Sequence, residues 1–391
     1  MPKLIEFLGL KKNLVIILLI VIILEMGQRM GERFLPIYIL ALGGGSVVVG
    51  LLNGLNNLLG ALYSFPGGYL SDKFGYKKSL IIFDIIAMFG YAIVIIFPYW
   101  QAAIIGAIFF LSWSSISLPA IMSAISKILP QNKQTMGVSM HSLVRRIPMA
   151  IGPVLGGLCI AAFGETHGIR VAFFISFLLA FAAIFVQQKF LDDKHEKNET
   201  IEKNPFKVLA RMNSDLKHLL VSDILIRFCE QIPYAFVVIW CMKNIGVSAV
   251  DFGILTTAEM ITAMLIYIPV AYLVEKNKSK KPYIAITFTF FAIFPIILFF
   301  SHSFWMLFFA FIIRGLKEFG EPTRKAFILT LADDNSKAAM YGTYYLIRDV
   351  VVSVAAFAGG FLWLISPATN LICATTFGFI GVIYFIVYCK E

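Results

Sequence analysis

The sequence predicts an all-α membrane protein, with twelve transmembrane helices arranged as two pseudo-symmetric six-helix bundles. Three observations carry that expectation. The chain is 59% apolar and 14% charged, with a mean hydropathy of +0.83, whereas a soluble domain carries about 25% charged residues. Its apolar residues fall into twelve long runs separated by polar loops. Features of the first six runs recur, in the same order, in the last six.

A helix needs about 20 apolar residues to cross roughly 30 Å of hydrocarbon. On that criterion the segments are 13–41, 46–70, 79–98, 101–128, 136–163 and 168–188, then 219–243, 248–274, 282–301, 304–331, 339–364 and 367–388. The start resembles a secretory signal, with Lys3, Lys11 and Lys12 ahead of an apolar run. That run continues through Glu25 to about Leu42 without a clear cleavage site, so it is expected to be the first membrane helix. Residues 189–218 are polar and mixed in charge, apart from an apolar patch at Phe206-Lys-Val-Leu-Ala that suits a short surface helix. The domain expectation is therefore an N-terminal half (1–188), a cytoplasmic linker (189–218) and a C-terminal half (219–391).

The net charge of +10 is carried by short loops. Lys73, Lys77, Lys78, Lys133, Lys194, Lys203, Lys276, Lys278, Lys280, Lys281 and Lys337 lie on one side, and little beyond Arg170 and Lys243 on the other. Positive loops stay inside, so both termini are expected in the cytoplasm of a bacterial cell, with the chain multi-pass in the inner membrane. No basic domain suits a nucleic acid. The five cysteines have neither metal-ligand nor disulfide spacing and are expected to be small buried apolar groups, Cys389 at the terminus excepted. No metal or cofactor is expected.

A shift of 203 residues lays Phe65-Pro66-Gly-Gly-Tyr69-Leu70-Ser-Asp72-Lys73 over Ile268-Pro269-Val-Ala-Tyr272-Leu273-Val-Glu275-Lys276. The same shift pairs Pro119 with Pro322, Arg145 with Arg348, and Gly156-Gly157 with Gly359-Gly360. A shift of 198 lays Glu25, Arg29 and Glu32 over Asp223, Arg227 and Glu230. Several matches in corresponding helices point to duplication of a six-helix unit.

Charges inside apolar helices cost about 2.5–3.5 kcal/mol each at mid-bilayer, even on the mild scale. Glu25, Arg29 and Glu32 fall within about 60° of helical arc, as do Asp223, Arg227 and Glu230. Arg145, Glu259, Arg314 and Arg348 complete the candidate solute and proton pathway, with Glu25, Arg145, Arg314 and Arg348 expected near the midplane. Carboxylates there suit proton carriage, and arginines suit an anionic group. The alternative role is neutralisation: eight acids face eight bases in these helices, which suits ion-pair latches and leaves the sign of the solute open. Tyr38, Trp113, Tyr234, Trp240, Tyr344 and Tyr345 suit either a cavity wall or lipid-facing packing.

The loop between the second and third segments reads Gly68, three residues, Asp72, Lys73, one residue, Gly75, then Tyr76, Lys77 and Lys78. It resembles the helix 2–3 loop of the major facilitator superfamily of secondary transporters, departing at Tyr76, where the family often has a basic residue. The resemblance implies that Gly68, Asp72, Lys73, Gly75, Lys77 and Lys78 form a cytoplasmic gate. It also implies two parallel six-helix halves with solute between them. Gly152-Pro153-Val-Leu-Gly156-Gly157 resembles the end of the family's helix 5 motif, found in proton antiporters; Ser139 and Pro148 stand where its earlier glycines would be. Small residues here also suit close helix packing. The family's helix 4 arginine is absent, while Arg314-Gly-Leu-Lys317-Glu318 resembles that motif in the other half, so a relay is expected on helices 1, 7 and 10.

These resemblances imply a monomeric, lipid-embedded transporter of a small organic solute, working by alternating access and proton-coupled efflux in the manner of the drug:proton antiporters. Uptake of a charged metabolite or siderophore is the alternative within that class, and a non-transporting receptor or scaffold the alternative outside it. No phosphate loop, metal cluster or nucleophile with its base points to an enzyme.

Overall fold

The computed structural model describes residues 12–111, 113, 117–118, 121, 124, 134–191, 212–276, 280–331 and 337–389. The patch at Phe206 and most of the linker lie outside them.

Twelve helices cross the membrane. α1 comprises Lys12–Glu32 and Leu35–Ala41, restarted by Pro36 in its first turn. α2 is Ser46–Phe74 and α3 Tyr76–Ile96. α4 begins with Trp100–Phe110 and is helical again at Trp113. Gln134–Phe190 holds two spans, α5 (134–163) and α6 (165–190), because Gly164 at φ 78° reverses the chain. Only glycine takes that left-handed conformation without strain. α7 comprises Ser214–Tyr234, Val237–Ile239 and a wide turn, Trp240–Ile245, and is bent by 41°. α8 is Ala249–Lys276, α9 Lys281–Phe300, α11 Lys337–Ile365 and α12 Pro367–Tyr388. α10 is broken into Phe304–Leu316 and Glu321–Leu331, where a single span was expected.

Side chains set several starts. Asn213, Ser303 and Ser366 each accept a hydrogen bond from a backbone N–H three residues on, opening α7, α10 and α12. α6 runs to Phe190, and Asn213 starts α7 at Ser214, both inside the stretch assigned to the linker.

Packing repeats between the halves. α1 lies along α5 and α6 as α7 lies along α11 and α12, and α3 meets α4 and α6 as α9 meets α10 and α12. Contacts divide the chain into two units: Met1–Gly43, Leu59–Thr200 and Ser248–Thr257, and Gly44–Leu58, Ile201–Val247 and Ala258–Glu391. Each unit thus includes the start of one helix, α2 or α8, from the other repeat. In the first, the Thr257 hydroxyl donates to the Ala150 carbonyl at 2.7 Å. In the second, Asn53 Nδ2 donates to the Gln231 carbonyl at 2.7 Å.

The first unit's core includes Tyr91 stacked on Phe110, with Phe173 tilted against both rings. The second is built on Leu216, Leu219, Ile226, Phe288, Tyr344 and Phe385. Large apolar groups such as Phe181, Leu265 and Ile365 are more than 60% exposed, a surface suited to lipid rather than water. Two cysteine expectations are corrected. Cys159 and Cys373 are only half-buried, Cys373 packing against Ile232, Ala355 and Ala374, while terminal Cys389 is buried in the second core.

Candidate functional site

Arg145, Gly152 and Gly156 are seven and eleven residues apart, so they share one face of α5. A Cβ on Gly152 would stand 2.6 Å from Arg29 Cβ, and one on Gly156 would stand 2.1 Å from the Met30 carbonyl oxygen. Bare backbone therefore lets α1 and α5 touch, and that approach carries Arg145 to Glu25. Arg145 Nε donates to Glu25 Oε1 at 2.5 Å. Arg29, one turn along α1, lies 3.9 Å from Glu25 Oε2 and 3.0 Å from Glu32. Glu25 is buried, while the Arg145 side chain keeps 23% exposure. Pro153 is buried, and Gly157 abuts the Ala249 backbone.

The second unit repeats this geometry on α7 and α11. Arg348 Nη1 donates to Asp223 Oδ2 at 3.4 Å. Arg227, four residues from Asp223, lies 3.8 Å from Oδ1, and its Nη1 reaches Glu230 at 2.6 Å. Acid, stripe arginine, second acid and crossing arginine thus recur at matched positions.

The second cluster is larger. Lys317 bridges Glu230 at 2.9 Å and Glu259 at 3.4 Å. Arg314 reaches Glu259 at 3.4 Å and lies over the rings of Phe294, Phe311 and Tyr234. Arg348 also holds Asp349 at 2.7 Å and lies 4.2 Å from the Tyr345 ring. The cavity among Cys229, Glu230, Phe291, Phe294, Arg314 and Lys317 measures about 10 Å³, roughly one water position.

Arg324, absent from the sequence candidates, sits at the centre of this cluster and is fully buried. It donates to Asp223, and its Nε and Nη2 reach Glu321 at 3.0 and 2.6 Å. The break in α10 puts it there. Residues 317–320 leave the helix, and the Gly320 N–H donates to the Thr287 hydroxyl of α9 at 2.5 Å. A Cβ on Gly320 would stand 2.4 Å from the Tyr283 carbonyl oxygen, so no larger residue fits the break as it stands. Arg324 lies seven residues after Lys317, which was the available signal. Its counterpart in the repeat is Ile121, so the comparison of halves could not reveal it.

Of the other expected residues, Gly75 takes φ 82° between α2 and α3. Lys77 Nζ donates to the Gln188 carbonyl of α6 at 3.0 Å. Lys73 and Lys78 are exposed, with Lys73 over the Phe74 ring. The side chains of Gly68's neighbours and of Asp72, like those of Tyr272, Glu275 and Lys276, lie outside the described residues. Tyr344 is buried and donates to Asp223 at 3.0 Å; Trp113 is buried against Asp84. Tyr38 is buried, and the half-buried Trp240 donates to the Leu298 carbonyl. Among the described residues, no group of three or more His, Cys, Asp or Glu could hold a metal ion.

A family model described as Major Facilitator Superfamily matches residues 17–229 and 219–389. The chain belongs to the major facilitator superfamily. It is a transporter by family, not an enzyme. An uncharacterized MFS-type transporter of Bacillus subtilis, YqjV, is 30% identical over 139 residues, 34% of this chain and 32% of its own length. Two uncharacterized MFS-type transporters of Methanocaldococcus jannaschii also match. One is 26% identical over 63% of this chain and 65% of its own length, the other 21% identical over 91% and 90%. The matches to the first two thus span about a third and just under two thirds of those relatives. Among solved structures, the nucleoside transporter NupG, in a mutant form, aligns with TM-score 0.81 at 13% identity, covering 97% of this chain and 100% of that one. A bacterial homolog of the human lysosomal transporter Spinster, inward-facing and unoccupied, aligns with TM-score 0.72 at 12% identity, covering 97% and 98%. At such identities the likeness to these superfamily members is one of fold.

Proposed function

We propose that this superfamily member is a proton-coupled exporter of a small organic solute, working by alternating access as a monomer in the bacterial inner membrane, with both termini cytoplasmic. The observation that carries the coupling is the Glu25–Arg145 pair, a buried carboxylate against a partly exposed guanidinium. Arginine stays charged, so the exchangeable proton belongs to the acid. Glu25 Oε2 makes no hydrogen bond, which leaves one oxygen for a donor group on a solute. In export, solute and proton compete for that carboxylate, and arrival of the proton expels the solute. In the matched pair Asp223–Arg348, the acid meets three arginines in all and a tyrosine hydroxyl, and it acts chiefly as a fixed latch. The gate residues Gly68, Asp72, Lys73, Gly75, Lys77 and Lys78 face the cytoplasm and control closure rather than solute affinity. The resemblance to drug:proton antiporters that favours export rests on the helix 2–3 loop and on the end of the helix 5 motif, here the α1–α5 contact surface.

One observation favours a second reading. Arg145 is the more exposed partner, and neutralising Glu25 frees it to take a carboxylate or phosphate. Proton and anionic metabolite would then travel together, giving uptake. A thermal-shift screen of solutes across pH identifies the ligand, and vesicles with an imposed pH gradient then decide the direction. Solute moving against the proton flow supports exchange, and solute moving with it supports uptake. Solute flux unaffected by the gradient and by uncouplers would remove proton coupling from both.

A further inference from the structure

Asp84 is a fully buried carboxylate on α3, outside the Glu25 cluster. Its Oδ1 accepts from the Trp113 indole N–H of α4 at 2.8 Å, and its Oδ2 faces the Gln187 amide of α6 at 2.5 Å. Both partners are neutral, and no ion pair reaches Asp84 among the described residues. Glu25 and Asp223 differ in kind, since each lies within 4 Å of two or more guanidinium groups.

The surrounding charges are answered elsewhere. On α1, Arg29 and Glu32 pair with each other at 3.0 Å. On α3, Lys77 is held by the Gln188 carbonyl, and Tyr76 and Tyr91 are the other polar aromatic groups. On α6, Lys189 lies over the rings of Phe185 and Phe190. An ionised carboxylate in such a place carries a large solvation cost that neutral donors offset only in part.

The amide of Gln187 is suited to both charge states. A glutamine presents N–H₂ or C=O by turning over. As placed it donates to the ionised carboxylate, and its own Oε1 makes no hydrogen bond. Turned over, it accepts from a protonated Asp84, and 2.5 Å is within the range of an O–H···O bond. Trp113 still donates to Oδ1 in either state.

The repeat gives this group a place in the fold. At the shift of 203, Asp84 corresponds to Thr287, whose hydroxyl accepts the Gly320 N–H and so ties α9 to the break in α10. Asp84 ties α3 to α4 in the same way, with a titratable group in place of a hydroxyl. Gln187 is followed by Gln188, whose carbonyl receives Lys77 of the gate loop, so one turn of α6 meets both.

We propose that Asp84, with Trp113 and Gln187, is a proton-binding site that ties α3, α4 and α6 together and is separate from Glu25. It does not rest on the identity of the solute or on proton exchange at Glu25. The test uses the full chain with Trp100, Trp240, Trp305 and Trp363 changed to Phe, so that Trp113 alone emits. Titrating its fluorescence in lipid vesicles is expected to show a one-proton transition, lost in Asp84→Asn and kept in Glu25→Gln. A flat titration, a transition that survives Asp84→Asn, or one abolished by Glu25→Gln would overturn the proposal. Infrared difference spectra of the protein with its native tryptophans give a second reading that needs no tryptophan replacement. A protonated-carboxyl band should appear on acidification and be missing from Asp84→Asn. Trp113→Phe should tighten proton binding about tenfold, since the ionised form loses a donor. An absent band, or an unmoved midpoint in Trp113→Phe, would also refute it.

Discussion

Replacing Arg324 with leucine should be among the most damaging single changes in the second half. Arg324 has no exposure, so solvent screens none of its pairing with Asp223 and Glu321. Removing one partner of a buried pair costs about 3–5 kcal/mol. Each acid here keeps other cations: Asp223 retains Arg348 at 3.4 Å and Arg227 at 3.8 Å, and Glu321 retains Arg227 at 3.3 Å. The loss should therefore fall near the low end, about 3 kcal/mol. At about 2–4 °C per kcal/mol for a unit of 150–250 residues, that lowers Tm by about 6–12 °C. Cys229, Cys241 and Cys389 are all buried in this half, so a thiol-reactive dye reports its unfolding in a Cys159→Ser, Cys373→Ser background. The double variant Arg324→Leu, Glu321→Leu should recover at least half of the loss, because it removes the acid left without its bidentate partner. A single variant within about 1 °C of the parent would show that Arg324 is not holding the cluster. Additive losses in the double variant would refute the pairing argument.

Three further changes address separate elements. Gly156→Leu should separate α1 from α5 and lower stability by about 1–3 kcal/mol or more through overpacking, read by thermal unfolding; an unchanged Tm would contradict the close approach. Thr287→Val removes the acceptor of the buried Gly320 N–H and should cost about 1–3 kcal/mol, whereas Thr287→Ser should be near neutral; equal effects would remove the hydrogen bond from the explanation. Asp72→Asn should slow turnover with little change in solute affinity, and unchanged turnover in vesicle flux assays would refute the gate reading.

The spans were legible because lipid demands long apolar helices, and the duplication was legible in matched prolines, glycines and charges. The acid–arginine–acid stripes of α1 and α7 could be read from helical period alone, and both form ion pairs in the structure. Which cation crosses from another helix was only partly visible, since Arg145 and Arg348 stood out by the repeat but Arg324 did not. The break in α10 left a signal in Gly320 and Pro322 at the restart, which reading 304–331 as one span did not use. Asp84 was not among the sequence candidates. The third segment was expected to start at 79, five residues before it. The helix starts at Tyr76, and Asp84 lies eight residues, or about 12 Å, inside it. Its importance depends on Trp113 and Gln187, which no local pattern joins to it.

The most direct measurement of proton exchange at Glu25 compares two kinds of flux in reconstituted vesicles, using the solute found by thermal shift. Wild-type protein should drive net solute movement from a pH gradient and also exchange labelled for unlabelled solute at equilibrium. Glu25→Gln should lose the gradient-driven movement, because the amide carries no exchangeable proton, and should exchange solute weakly, because the amide stands for the protonated acid that has released its solute. Gradient-driven transport by Glu25→Gln at the wild-type level would contradict the assignment of the coupling proton to Glu25.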